Sequence, residues 1–278
     1  MSRSTREPTG FIGWLTRPFR RGGPVIPVVR LHGVIAADAR PGRLNIETVA
    51  PLLDRAFRSA GNTVALIVNS PGGSAVQSRL ISKRIRDLAA EHEKQVLVFV
   101  EDAAASGGYF IATAGDEIIA DPSSIVGSIG VIFAGFGFPR ALDKLDIDRR
   151  VHTSGKNKST MDPFLPEKAE DVHRIKQLEA DVHQVFIDWV KSRRGVKLTA
   201  PDDELFTGEF WSGLRGLELG LIDAVGDLHE TLVSRFGDRV RTRVIAPRRG
   251  LFELPRFGLA ADLAATVEDR ALWSRFGL

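Results

Sequence analysis

Cysteine is absent from the 278 residues. Disulfides, thiolate metal sites and a cysteine nucleophile are therefore excluded. Lysine is scarce: nine of the 38 basic residues are Lys, leaving 38 − 9 = 29 Arg. The formal net charge is only +3, and no basic run is interleaved with aromatics, so no nucleic-acid track is expected. Long hydrophobic runs are missing as well. Phe11-Ile12-Gly13-Trp14-Leu15 is too short for a signal-peptide core and far below the roughly 20 residues of a spanning helix. One uncharged stretch, 122–138, is interrupted by Gly127, Gly130, Gly135 and Gly137, and reads as two buried strands with a turn. The expectation is a cytoplasmic or peripherally membrane-associated protein. The aromatics beside Arg in 11–21 and an amphipathic segment at 258–276 are the two places suited to touching an anionic membrane surface.

What is present is an ordinary globular composition, 43% apolar and 26% charged, with ample length for one sizeable core. Residues 25–35 form a β-branched run. Residues 45–59 then carry Ile46, Val49, Leu52, Leu53 and Phe57 at helical spacing. Residues 64–68 are wholly apolar, 74–90 are helical in pattern, and 96–100 are wholly apolar again. Strand, helix, strand in this rhythm predicts βαβ units and a mostly parallel sheet. Residues 147–152 alternate like a further strand. Residues 167–194 read as a long helix with Val172, Ile175, Leu178, Val182, Val185, Phe186 and Trp189 as its apolar stripe. Shorter helices at 214–219 and 228–236 and a last strand at 240–245 follow. The simplest partition is an N-terminal arm (1–24), one α/β domain (25–246) and an amphipathic C-terminal extension (247–278).

Two Gly-rich stretches stand at the carboxyl ends of predicted strands, where open α/β sheets bind ligands. They should therefore be neighbours in space. Ala103-Ala104-Ala105-Ser106-Gly107-Gly108-Tyr109 places a serine among small residues at a strand-to-helix turn. Its hydroxyl is open, a substrate backbone can come close, and the new helix aims free N–H groups at the same spot. Asn69-Ser70-Pro71-Gly72-Gly73-Ser74 can turn further N–H groups outward as part of an oxyanion hole. Ser70, followed by Pro and Gly, is the poorer nucleophile.

A serine hydroxyl needs a base. None of His32, His92, His152, His173, His183 and His229 lies in a motif-like context, although a triad assembled in space stays open. The other candidates are Lys156 and Lys158 in Ser154-Gly155-Lys156-Asn157-Lys158. A lysine amine has an ordinary pKa near 10.4, so it accepts a proton near neutral pH only where burial disfavours its charged form. Read alone, the pair is equally consistent with two solvated loop lysines.

Taken together, NSPGG (69–73), ASGGY (105–109), GSIGV (127–131), SGKNK (154–158) and FTGEFW with GLELGLID (206–223) resemble the signal peptide peptidase A family. These are serine-lysine peptidases with a Clp/crotonase-like fold, and the likeness runs over about 25–236. The resemblance implies Ser106 as nucleophile and Lys158, which fits the family's Ser-Gly-x-x-Lys pattern, as general base. It implies the N–H groups of Gly72 and Gly107 as oxyanion hole, and Ser128 as the residue orienting the lysine amine. It also implies peptide substrates such as remnant signal peptides or unfolded segments, no metal or other cofactor, and a homo-oligomer in which Ser106 and Lys158 come from adjacent subunits. The family commonly has an N-terminal membrane anchor, and no such segment is visible in this sequence. Two other functions compete: a crotonase-like acyl-CoA hydratase or isomerase using Glu101 and Asp102 as acid and base, and a scaffold that kept the fold without the chemistry.

Overall fold

The computed structural model describes residues 23–40, 42–247, 267 and 269–278. The chain opens with β1 (Val25–His32) and the short β2 (Val34–Ile35) and β3 (Arg43–Leu44), then α1 (Ile46–Phe57). Next come β4 (Thr63–Ser70), α2 (Ala75–Glu91), β5 (Gln95–Ala105) and α3 (Gly107–Ala112). After β6 (Glu117–Ala120) and β7 (Ile125–Gly127), an extended segment leads through α4 (Pro139–Lys144) to the long α5 (Ala169–Arg194). The domain ends with α6 (Asp202–Leu205), β8 (Phe210–Ser212), α7 (Gly213–Glu218), β9 (Ala224–Val225), α8 (Leu228–Phe236) and β10 (Arg241–Val244).

The main sheet runs β10-β1-β4-β5-β6-β9, every pair parallel, as the βαβ rhythm predicts. All eight residues of β4 are buried, because a central parallel strand is covered on both faces. Val64, Leu66 and Val68 face the large core beneath α1 and α2, with Leu53, Phe57, Ile81 and Ile85. Ala65 and Ile67 face the smaller core closed by Leu232 of α8. Each large aliphatic side chain fully withdrawn from water contributes about 1.5–3 kcal/mol. The helices start where the sequence provides caps. Asn45 Oδ1 accepts from Thr48 N at 2.9 Å, and Asp227 Oδ1 accepts from His229 N at 2.6 Å.

Beyond β6 the expectations need correction. Of the two strands expected in 122–138, only β7 forms, parallel to the last three residues of β5 and antiparallel to β8. Residues 131–138 have no regular structure and are largely exposed, with Ile132 67% and Phe136 82% accessible. Residues 147–152 form no strand either. Of the stripe expected to bury α5, Phe186 is buried, while Leu178 and Val185 are exposed. The physical reason is that apolar spacing marks a face that avoids water: α5 meets the core only near Phe186 and Val190, and the other two stretches find no core within one chain. The N-terminal arm, save residues 23 and 24, and residues 248–266 and 268 of the C-terminal extension lie outside the described residues. No helix among the described residues is long and apolar enough to cross a membrane.

Candidate active site

The site is built where β4 and β5 end side by side. At the end of β4, Pro71-Gly72-Gly73 crosses over to β2: Ile35 N donates to Gly72 O at 2.9 Å and Ser74 N donates to Ile35 O at 2.7 Å. Gly72 has φ +103°, and a Cβ on it would lie 2.8 Å from the Ser106 Cβ. A Cβ on Gly108 would lie 2.5 Å from Ser70 O. The two Gly-rich turns thus pack backbone against backbone, and side chains at these positions would push them apart.

Ser106 stands between β5 and α3 with φ +51° and ψ −120°, a region that non-glycine residues avoid at a cost on the order of 1–3 kcal/mol. Two backbone bonds hold it there: Ser106 N donates to Gly127 O at 2.8 Å, and Phe110 N donates to Ser106 O at 2.9 Å. The strain turns the side chain out of the sheet. Among the described residues no hydrogen bond reaches its hydroxyl.

That hydroxyl opens on a groove of about 530 Å³. Pro71, Gly73 and Gly107 line the groove beside Ser106, and Val76, Ile132 and Val182 are among the apolar side chains of its walls. α5 is fixed to the site by Trp189, whose ring stacks on Phe110 at 5.3 Å and whose Nε1 donates to Thr113 Oγ1 at 2.8 Å. Among the described residues no histidine and no carboxylate lines the groove. Glu101 instead pairs with Arg30 at 2.5 Å, and Asp102 accepts from Asn69 Nδ2 at 2.6 Å. The acid and base of a hydratase are therefore not offered to the groove.

The two glycines expected in the oxyanion hole differ. Gly107 is the first residue of α3 and lines the groove, and its N–H has no intrahelical partner. Gly72 donates its N–H to the buried Ser70 Oγ at 3.2 Å. It is Gly73 that lines the groove with an N–H free of partners among the described residues. Either glycine of a Pro-Gly-Gly turn can present its N–H, and here the bridge between Ile35 and Gly73 leaves the Gly73 N–H unbonded among the described residues.

Ser128 follows Gly127 directly, so the backbone bond from Ser106 N brings the GSIGV motif to the Ser106 turn. Ser128 is buried with φ +54°, and its N–H donates to Glu209 O at 2.6 Å. A Cβ on Gly127 would lie 2.7 Å from the Trp211 ring, which shows what FTGEFW does: it braces β7 from behind. Lys158 is exposed, its N–H donates to Gly155 O at 3.2 Å, and it is not among the described residues lining the groove. Ser106, Gly107 and Gly73 do line it, with the buried Ser128 tied in beside the Ser106 turn.

The model of peptidase family S49 matches residues 89–237. A Buchnera aphidicola protein named probable protease SohB is 34% identical, over 77% of this chain and 68% of that one. A Brucella melitensis protein named Na(+)/H(+) antiporter NhaA is 51% identical over 95% of this chain. The match spans only 38% of that longer protein, so most of it has no counterpart here. In three dimensions the chain resembles the 1510-N membrane-bound stomatin-specific protease. A serine-to-alanine mutant of it gives a TM-score of 0.51, and a lysine-to-alanine mutant with a substrate peptide gives 0.52, both at 17% identity. The alignments cover 81% and 89% of this chain and 99% of the other.

Proposed function

The chain belongs to peptidase family S49, and on that premise we propose that it is a serine endopeptidase with Ser106 as nucleophile and Lys158 of a neighbouring copy as general base. The observation that carries the reading is the Ser106 backbone, held in a strained conformation that turns an unbonded hydroxyl into an apolar groove. The solved mutants of the fold neighbour, one at a serine and one at a lysine, lend further support.

In this reading the uncharged Lys158 amine takes the hydroxyl proton as Ser106 Oγ attacks the peptide carbonyl. The carbonyl oxygen becomes an oxyanion held by the N–H groups of Gly73 and Gly107. We assign the first donor to Gly73 in place of Gly72, since Gly72 is turned to Ser70. Loss of one such donor costs about 2.7–4 kcal/mol in the transition state. Protonated Lys158 then gives its proton to the leaving amine, and a water deprotonated by the same amine hydrolyses the acyl-enzyme. Ser128, beside the Ser106 turn, orients the lysine amine.

What the lysine-bearing segment leaves uncovered supports a second copy. Ile132, Phe133, Phe136, Leu145 and Ile147 are all more than half accessible. That much apolar surface in one segment marks an interface. The apolar groove walls suit signal-peptide-like or unfolded segments as substrates. The test is a fluorophosphonate probe on the intact protein, with intact-mass analysis of products from a panel of signal peptides. Labelling at Ser106, and cleavage lost in Ser106→Ala, are expected. Cleavage that survives Ser106→Ala would overturn the assignment.

A further inference from the structure

One contributor to the groove is not explained by peptide hydrolysis. Leu272 and Arg275 also line it, and they come from the far end of the chain, on a segment helical over 269–274. Two latches flank them. Upstream, Arg43 Nη2 donates to Asp269 Oδ1 at 2.8 Å. Downstream, the Phe276 ring meets Phe210 edge-on at 5.0 Å. Asp269 and Leu272 are three residues apart on one helical face, and Phe276 follows in the turn that closes on it, its N–H donating to Trp273 O at 2.9 Å. Phe210 belongs to β8, paired to β7 opposite Gly127, so the second latch lands on the strand that braces the Ser106 turn.

The first latch is built to open. The Arg43 side chain is only 9% accessible and also donates to Asp38 at 2.8 Å. If Asp269 leaves, Arg43 keeps a carboxylate partner, and no bare charge is stranded in the body. The second latch joins an exposed ring to a half-buried one, and such a contact contributes about 0.5–1.5 kcal/mol beyond its area. Both latches are thus of a kind that a competing ligand can displace.

We propose that residues 269–276 are a detachable cover on the peptide groove, held by Asp269 and Phe276, which a substrate must displace before it reaches Ser106. The inference rests on reading this groove as the peptide site. Because the segment is helical, it offers the groove side chains and keeps its amides in its own turns, so it blocks the groove without presenting an extended bond for cleavage.

The experiment uses the full chain, with Asp269→Asn and Phe276→Ala combined, and with Leu272→Ala as a second variant. Amide hydrogen exchange over 269–278 is followed beside the Kd of a fluorescein-labelled Leu/Ala nonapeptide, read by anisotropy. Faster exchange and a Kd lower by about tenfold in the double variant are expected, because affinity is reduced by the fraction of molecules that are covered. Leu272→Ala should lower Kd less, with the latches intact. Loosened amides with an unchanged Kd would overturn the proposal, as would amides already exchanging at unfolded rates in the wild type. Cleavage is scored separately in the wild type. If peptide binds and is never cut, the peptidase reading falls, while the difference in Kd still decides the cover.

Discussion

The floor under Ser106 and the segment carrying Lys158 are built by opposite rules. Ala103, Ala104, Ala105, Tyr109 and Ile111 have no accessible surface, and the single Tyr donates its hydroxyl to Leu221 O at 2.7 Å. From 131 to 168, by contrast, no residue is buried, although the segment is rich in Phe, Ile, Leu and Val. A single chain therefore packs the turn around Ser106 completely, while the segment around Lys158 carries apolar surface that this chain leaves open. The difference teaches that the unit of folding and the unit of the proposed chemistry are not the same here.

The largest effect tests that division directly. Ser106→Ala and Lys158→Ala should each lower kcat/KM for a fluorogenic apolar peptide by at least about a thousandfold, as losing a nucleophile or its base does elsewhere. Mixed in equal amounts and allowed to reassemble, the two inactive chains should recover about a quarter of wild-type activity, because a symmetric interface then forms that share of intact pairs. Recovery near zero would mean that the lysine closes over Ser106 of its own chain, and the contrast between floor and segment would lose its functional meaning.

Phe136→Asp should come next. At 82% accessibility its ring stabilises the isolated chain little, so the melting temperature should stay within a degree or two of wild type. A charge buried at an interface is costly, so assembly measured by sedimentation velocity should fail, with activity falling about tenfold or more. Wild-type assembly in this variant would show that the exposed rings serve something other than contact between copies.

How far this contrast could be read from sequence depends on what each pattern reports. The parallel sheet was legible because wholly apolar runs such as 64–68 occur only where both faces are covered. The Ser106 turn was legible because small residues crowd where two backbones meet, as Gly72 and Gly108 do. The stripe on α5 and the alternation at 147–152 were misread because apolar spacing says that a face avoids water, and not whether its cover lies in the same molecule. The difference between the Gly72 and Gly73 N–H groups depends on the bridge from Ile35, a contact between residues nearly forty apart that no local pattern encodes. The face joining Leu272 to the groove was hidden for the same reason.

Two glycines sharpen the comparison at the level of packing. On Gly108 a Cβ would meet Ser70 O at 2.5 Å, an atom fixed by the sheet. Gly108→Ala should therefore destabilise the fold by about 3 kcal/mol, the upper end of overpacking costs. On Gly135 nothing lies within 4 Å of the added carbon, so Gly135→Ala should leave chemical denaturation unchanged. Equal effects at the two sites would mean that the 131–168 segment is packed in solution after all.

The smallest effect depends on pH. Asp223 accepts from Arg194 at 2.6 Å, from Lys197 at 2.6 Å and from the Ile118 N–H at 2.8 Å, tying the end of α5 to the edge of the floor. Burial pushes its carboxyl upward, yet these donors outweigh burial and hold it below the usual carboxylate range. A group depressed in this way stabilises the fold above its unfolded value near 3.9 and loses that contribution as pH falls through the folded value. Asp223→Asn should therefore lower stability at pH 7 by about 1.5–3 kcal/mol, in line with hydrogen bonds to a charged group. The cost should stop short of that for a fully stranded ion, because Arg194 keeps Gly220 O at 2.6 Å. In thermal melts the gap to wild type should begin to narrow as pH falls to the unfolded value near 3.9 and close only below the folded one. The closing should be the same in a Phe136→Asp background, because the tie lies within the floor. A gap that shifts when assembly is lost would mean that the floor, too, depends on the neighbouring copy.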